Sequence, residues 1–264
     1  MTAIADVTRP RAAFSSLGLK VSAGLVLLML WEVGVRLWAP AYVARPSGIL
    51  VVLVPVLTSG KFLSAAGATL GSVIEGLAIA LVAGIVVGIA MGRSPLADRL
   101  IRYYVFALFA MPMVAILPLI TLWLGYSDAA RLATVVFAAF FSITLNAADG
   151  ARAVPSEYLE VAASFRASRL RVWFGIVLPA ALPYLLAGTR LAAARALIGA
   201  VLAEFFIAVN GLGTYILYNS RSFHHDEAMV GVLVLAGSGM GFEALVNGAT
   251  RRYLPWYRRD ETPK

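Results

Sequence analysis

The residues able to do chemistry in this chain are few and scattered. His224, His225, Asp226 and Glu227 form one run with metal-ligand character, but adjacent histidines on a helix point apart and a metal site needs several converging donors. There is no third histidine and no cysteine, which removes disulfides, thiolate metal sites and a cysteine nucleophile. A solvated external loop is the expected setting of the run. A nucleotide-binding P-loop ends in Gly-Lys-Ser or Gly-Lys-Thr, because backbone amides and the lysine hold the phosphates; the only Gly-Lys pair, Gly60-Lys61, continues into Phe62. No Gly-x-Ser-x-Gly elbow occurs, and no two carboxylates share an expected face where an acid and a base could cooperate. The sequence predicts no enzyme, no metal and no cofactor held by this chain.

Charge placed inside apolar sequence is the more informative chemistry. Glu75, Arg190, Arg195 and Glu204 interrupt strongly apolar surroundings. A lone charge at the centre of a membrane helix costs about 2.5 to 3.5 kcal/mol on insertion scales, so these side chains should face protein or water. At 3.6 residues per turn, Arg190 and Arg195 lie about 140° apart and Arg195 and Glu204 about 180° apart, so one face cannot hold all three. Two roles follow: an arginine paired with Glu75 or Glu204 on a neighbouring helix, or an arginine lending positive potential to the path of an anionic solute. Pro112 and Pro118 fall in a charge-free stretch, where each removes a helix hydrogen bond and marks either a plain kink or a kink beside a pathway.

The elements that must position these residues are set by composition. Of 264 residues 61% are hydrophobic and 14% charged, against roughly half and a quarter in a soluble domain, so the solvent for most of the chain is lipid. A helix needs on the order of 20 apolar residues to cross the hydrocarbon. Six windows qualify: Leu19 to Trp38, the charge-free Tyr103 to Ser127, and the charge-free cores Gly76 to Gly92, Leu132 to Ala148, Val172 to Thr189 and Ala228 to Phe242, which extend at one or both ends. In the first, Glu32 and Arg36 stand at i and i+4, where an ion pair lowers the cost of both. Lys20 and the apolar run after it could imitate a secretory signal, but Glu32, Arg36 and two tryptophans make a retained span the better reading. Pro46 to Gly60 is too short to cross and contains Pro55, which suggests an interfacial element. From Ala68 every fourth residue is small, through Ser72, Gly76, Ala80, Gly84, Gly88 and Gly92, a groove that lets another helix approach closely.

With six alternating spans, one side receives Arg9, Arg11, Lys20, Arg93, Arg99, Arg102, Arg152, Arg166, Arg169, Arg171, Arg251, Arg252, Arg258, Arg259 and Lys264, fifteen basic residues, and the other Arg36, Arg45, Lys61, Arg131 and Arg221, five. That asymmetry places both termini in the cytoplasm. It also explains the net charge of +8 as topology rather than a nucleic-acid footprint, since no aromatic-interleaved basic patch is present. The expected organisation is a cytoplasmic tail over 1–18, a six-span all-α membrane domain over 19–250, and a basic cytoplasmic tail over 251–264.

Between spans four and five lies a cytoplasmic loop, about 152–171, that opens the stretch Pro155 to Pro179. Pro155 suits a first helical turn, Glu157 and Glu160 favour its positive end, and the small Ala162 and Ala163 leave a low surface that can enter a groove on another protein. From the residues alone this is a docking helix. The stretch resembles the E-A-A-x3-G-x9-I-x-L-P signature of ABC importer permeases: Glu160, Val161 and Ala162, then Arg166 at the glycine position, then Ile176, Leu178 and Pro179. Trp31-Glu32, Leu117-Pro118, Leu122-Trp123-Leu124-Gly125, Gly188-x-Arg190, Ala203-Glu204 and Gly211-Leu-Gly213 look like the branch that imports taurine, aliphatic sulfonates and nitrate. The resemblance covers about residues 25 to 252. It implies a type I importer fold, a second permease copy, two cytoplasmic ATPases that bind ATP and grip the loop helices, and an extracytoplasmic solute-binding protein, in a cell (inner) membrane. Two departures stand out: Arg166 replaces the glycine, and Ser72 with Glu75 stands where the family usually has one arginine and a small residue. A self-sufficient secondary transporter or channel is the alternative. It would carry inverted repeats with buried ion ligands in corresponding halves, and the sequence has no such repeat.

Overall fold

The computed structural model describes residues 16–40 and 42–253, and its regular elements are helices. In chain order they are α1 Ser16–Trp38, α2 Pro46–Thr58, α3 Gly60–Arg93, α4 Pro95–Ala110, α5 Met113–Leu124, α6 Asp128–Arg152, α7 Ser156–Ser164, α8 Arg169–Val172, α9 Leu178–Ile207, α10 Leu212–Arg221 and α11 His225–Tyr253. A π-helical turn, Trp173–Val177, joins α8 to α9. The expected tails lie mostly outside the described residues. α11 runs past residue 250, with Arg251 and Arg252 in its last turn.

The centre of the bundle is a triangle of α3, α6 and α9. Val73, Leu77 and Ala80 of α3 meet Val135, Ala139 and Ile143 of α6 and Ala192, Ala193, Ala196 and Ala200 of α9. The small-residue groove of α3 is used against α6: a side chain at Gly76 would strike Val135, one at Gly84 would strike Ile143, and at Gly88 and Gly92 the α6 backbone itself is in the way. Between membrane helices, where burial from water supplies no drive, this closeness is what provides packing energy.

Among the described residues five continuous helices are long and apolar enough to cross a membrane, and α4 with α5 forms a sixth candidate bent by 103°. The sequence windows therefore give the right number of spans, but Tyr103 to Ser127 is not one straight helix. Pro112 has no N–H, so the chain leaves the helical ladder: Met111 N–H reaches back only to Leu108, and the next helix starts with Ala115 N–H on the Pro112 carbonyl. Pro118, with no such break, sits inside α5.

At one end of the bundle α2 is pinned by two carboxylates, one from the preceding helix and one from the last. Glu32 of α1 accepts from the Ser47 backbone N–H at 3.0 Å and from the Ser47 hydroxyl at 2.8 Å, while Arg36 holds it at 2.6 Å. Asp226 of α11 accepts from the Arg45 N–H at 3.1 Å and leaves no room for a side chain at Gly48. Negative groups at a helix N-terminus satisfy its free N–H groups and its dipole. The His224–Glu227 run, expected as a solvated loop, is thus partly a structural joint: His225–Glu227 open α11, and His225 packs edge-on against Tyr42. At the opposite end, Asp98 of α4 is shared by Arg102 at 2.8 Å and Arg152 of α6 at 2.5 Å.

Candidate functional site

α7 stands at the Asp98–Arg152 end, carried by the chain that follows Arg152. Leu159 packs on the cluster of Val154, Val177, Ala181 and Leu185, together with Ile176 and Leu178. Glu160, Val161 and Ala163 point outward, whereas Ala162 is buried. This corrects the expected low surface: Ala163, not Ala162, is its exposed alanine. Ile176 and Leu178 belong to the support, and the exposed Pro179 explains the π turn before α9. Lacking an N–H, Pro179 cannot bond the Gly175 carbonyl, and the Leu178 N–H instead reaches five residues back to Trp173.

Arg166 sits in the left-handed region at φ 51°. Its N–H bonds the Ala163 carbonyl at 2.9 Å and the Ala167 N–H bonds the Ala162 carbonyl at 2.9 Å. That pair of bonds is a Schellman cap, which ends α7 and satisfies its last carbonyls. The turn that a glycine would make is made here by arginine, and α7 does not continue past it.

The intramembrane charges are disposed differently from the expected pairs. Glu204 is wholly buried; one oxygen accepts from Thr69 Oγ1 of α3 at 2.7 Å and the other from the Gly213 N–H at 2.7 Å. Its cation is Arg131, Nη1 lying 3.5 Å away, and not Arg190 or Arg195. Arg131 also donates to the Asn210 carbonyl at 2.6 Å and pairs with Asp128 at 2.7 Å. The turn between α9 and α10 wraps this carboxylate so closely that a side chain at Gly211 would fall on it. Arg131, counted in the sequence as an external loop charge, is 7% exposed; the Gly211-x-Gly213 pair near Ala203-Glu204 was the one sign of this hub. Arg190 donates to Asn247 of α11 at 2.5 Å, and Arg195 lies over the Phe109 ring at 4.1 Å, one turn before the Pro112 break. Pro112 and Pro118 are exposed, as is Glu75.

The sequence pattern of the binding-protein-dependent transport system inner membrane component family matches residues 80–259. The chain belongs to this family. It is an ABC importer permease subunit and a multi-pass inner membrane protein. It is 28% identical over 89% of its length to a formylaminopyrimidine transport permease of Halalkalibacterium halodurans, covering 94% of that protein. It is also 28% identical to the taurine transport system permease of Escherichia coli, over 90% of each chain. The Bacillus subtilis aliphatic sulfonates permease, so named provisionally, is 25% identical over 88% of this chain and 84% of its own. These relatives are transport permeases, not enzymes. The fold matches that of the MetNI methionine ABC transporter in an inward facing conformation, with a TM-score of 0.63 over 73% of this chain and 96% of that one, at 15% identity.

Proposed function

We propose that two copies of this chain form the translocation path of an ATP-driven importer for a small organic solute with an anionic group, delivered by an external binding protein. Two cytoplasmic ATPases grip α7, and both termini lie on their side of the membrane. The observation that carries this reading is the geometry of α7: a capped helix fastened inward by Leu159 and Ala162, presenting Glu160, Val161 and Ala163 outward. A helix fixed on one side and bare on the other can transmit a push from a partner. Arg195, part-buried against Phe109, supports an anionic solute, because a guanidinium within a span needs water or a counter-charge beside the ring.

Ala163→Trp in the complex reconstituted with its ATPase should reduce transport-coupled ATP hydrolysis at least about tenfold while the variant still inserts and purifies, as expected when a bulky ring replaces a tight contact. Glu160→Ala should lower coupling in the same direction. Coupled hydrolysis that survives Ala163→Trp at the wild-type rate removes α7 as the docking element.

A further inference from the structure

Glu75 lies in α3 within two residues of midway between Lys61 and Arg93. It is exposed, and it makes no hydrogen bond or ion pair with any described residue. Of the charges inside α9, Arg190 is held by Asn247, Arg195 lies over Phe109 and Glu204 has its own hub, so none of them pairs with Glu75. Glu243 of α11 is also exposed, but at eight residues, about 12 Å, from Arg251 it stands nearer a charged helix end than Glu75, which is 14 residues from Lys61 and 18 from Arg93. A glutamate has only two methylenes and cannot snorkel half the thickness of a bilayer. Lipid is therefore excluded as its surroundings.

The face of α3 that leads from its outer end to Glu75 is open. Lys61 stands at the head, its ammonium 4.5 Å from the Tyr218 ring centre, beside a cavity of about 150 Å³ that Asn210 and Thr214 also line. Ser64 follows, accepting from Asn210 at 3.0 Å. At Gly67 and Gly71 an added side chain would meet nothing within 4 Å, in contrast to Gly76, Gly84, Gly88 and Gly92, which are all packed against α6. One turn beyond Glu75 the wall becomes apolar: Ile79 borders a groove of about 470 Å³ with Leu132, Val136 and Phe140. Dry contact of this face with the same face of a second copy would bring two Glu75 carboxylates together, which their repulsion opposes.

We infer that Glu75 faces the water-filled outer half of the solute path, where its carboxylate receives a cationic or N–H-donating group of the solute. The inference rests on the permease reading above and deepens it: a solute with an anionic group that also carries an ammonium, amidinium or amino group fits a path offering a guanidinium and a carboxylate.

The chain has no cysteine, so single cysteines report directly. Gly71→Cys in the full chain, in right-side-out vesicles with its ATPase, is treated with membrane-impermeant cationic (trimethylammonium) and anionic (sulfonate) ethyl methanethiosulfonates. Ala78→Cys serves as a second site should Gly71→Cys not insert. Leu28→Cys, on the lipid-facing α1, is the unreactive control. Modification is expected, with the cationic-to-anionic rate ratio falling about tenfold when Glu75→Gln is added, the effect of one charge about 6 Å away in water acting oppositely on the two reagents. No reaction with either reagent, an unchanged ratio, or oxidative cross-linking of two copies without reaction each overturns the inference. The ATPase activity of the same vesicles tests the permease reading separately, since labelling does not depend on it.

Discussion

Arg166 shows how a single residue type can mislead while its position does not. The family signature has a glycine there, and an L-residue in the left-handed region costs roughly 1 to 2 kcal/mol relative to the right-handed one. The chain adopts φ 51° regardless, because the two cap hydrogen bonds and the packing of Leu159 fix where α7 must end. Arg166→Gly should therefore leave coupling unchanged and stabilise the loop by between zero and about 1 kcal/mol, the relieved strain being partly offset by the entropy glycine has in the unfolded chain. Hydrogen exchange of the α7 amides measures the gain. Loss of coupling with the cap intact would instead mean that the guanidinium itself contacts the ATPase. Ala162 teaches the complementary lesson: the motif names it, but only the fold decides that it turns inward and leaves Ala163 outside.

At the scale of elements, the α9–α10 turn is held by a buried carboxylate that reaches α3, α6 and the turn itself. Removing Glu204 takes the acceptor from the buried Gly213 N–H and leaves Arg131 only the exposed Asp128 as counter-charge; breaking a buried pair in this way costs about 3 to 5 kcal/mol. Glu204→Ala should fall in that range, seen as a lower thermal midpoint of the detergent-solubilised protein, and Arg131→Met added to it should recover part of the loss. Arg190→Gln and Arg195→Gln should give no such rescue, since neither touches Glu204. Glu204 was readable in the sequence as an expensive charge, whereas Arg131 was not. Arg131 sits at a span's start, where counting assigns it to water, and only the folded turn over Asn210 removes it. The spans were readable because apolar length is a local property. The break at Met111–Pro112 was not, because Pro112 and Pro118 look alike in sequence, and only the bundle determines which of them ends a helix.

For the whole molecule the bent pair decides the topology. A bend of 103° could make α4 and α5 a re-entrant loop, which would return the chain to its starting side and invert everything after it. The ion pairs argue against that. Asp98, at the start of α4, is held by Arg152, at the end of α6, so these two points share one end of the bundle. α6 is a single helix of 25 residues that crosses once, and its start must lie at the other end. There Arg131 meets Asn210, and Asn210 meets Ser64 in the first turns of α3. α4 and α5 together therefore make one net crossing, six spans alternate, and Arg36, Arg45, Lys61, Arg131 and Arg221 lie opposite Arg93, Arg99, Arg102, Arg152, Arg166, Arg169, Arg171, Arg251 and Arg252. By the bias of basic residues toward the cytoplasm, reporter fusions after Ser94, Arg169 and Lys264 should read internal, and those after Ser59, Gly125 and Arg221 external. The fusion after Gly125 is the decisive one: an internal signal there, with Ser94 also internal, would make the bent pair re-entrant and would contradict the Asp98–Arg152 pairing on which the six-span fold depends.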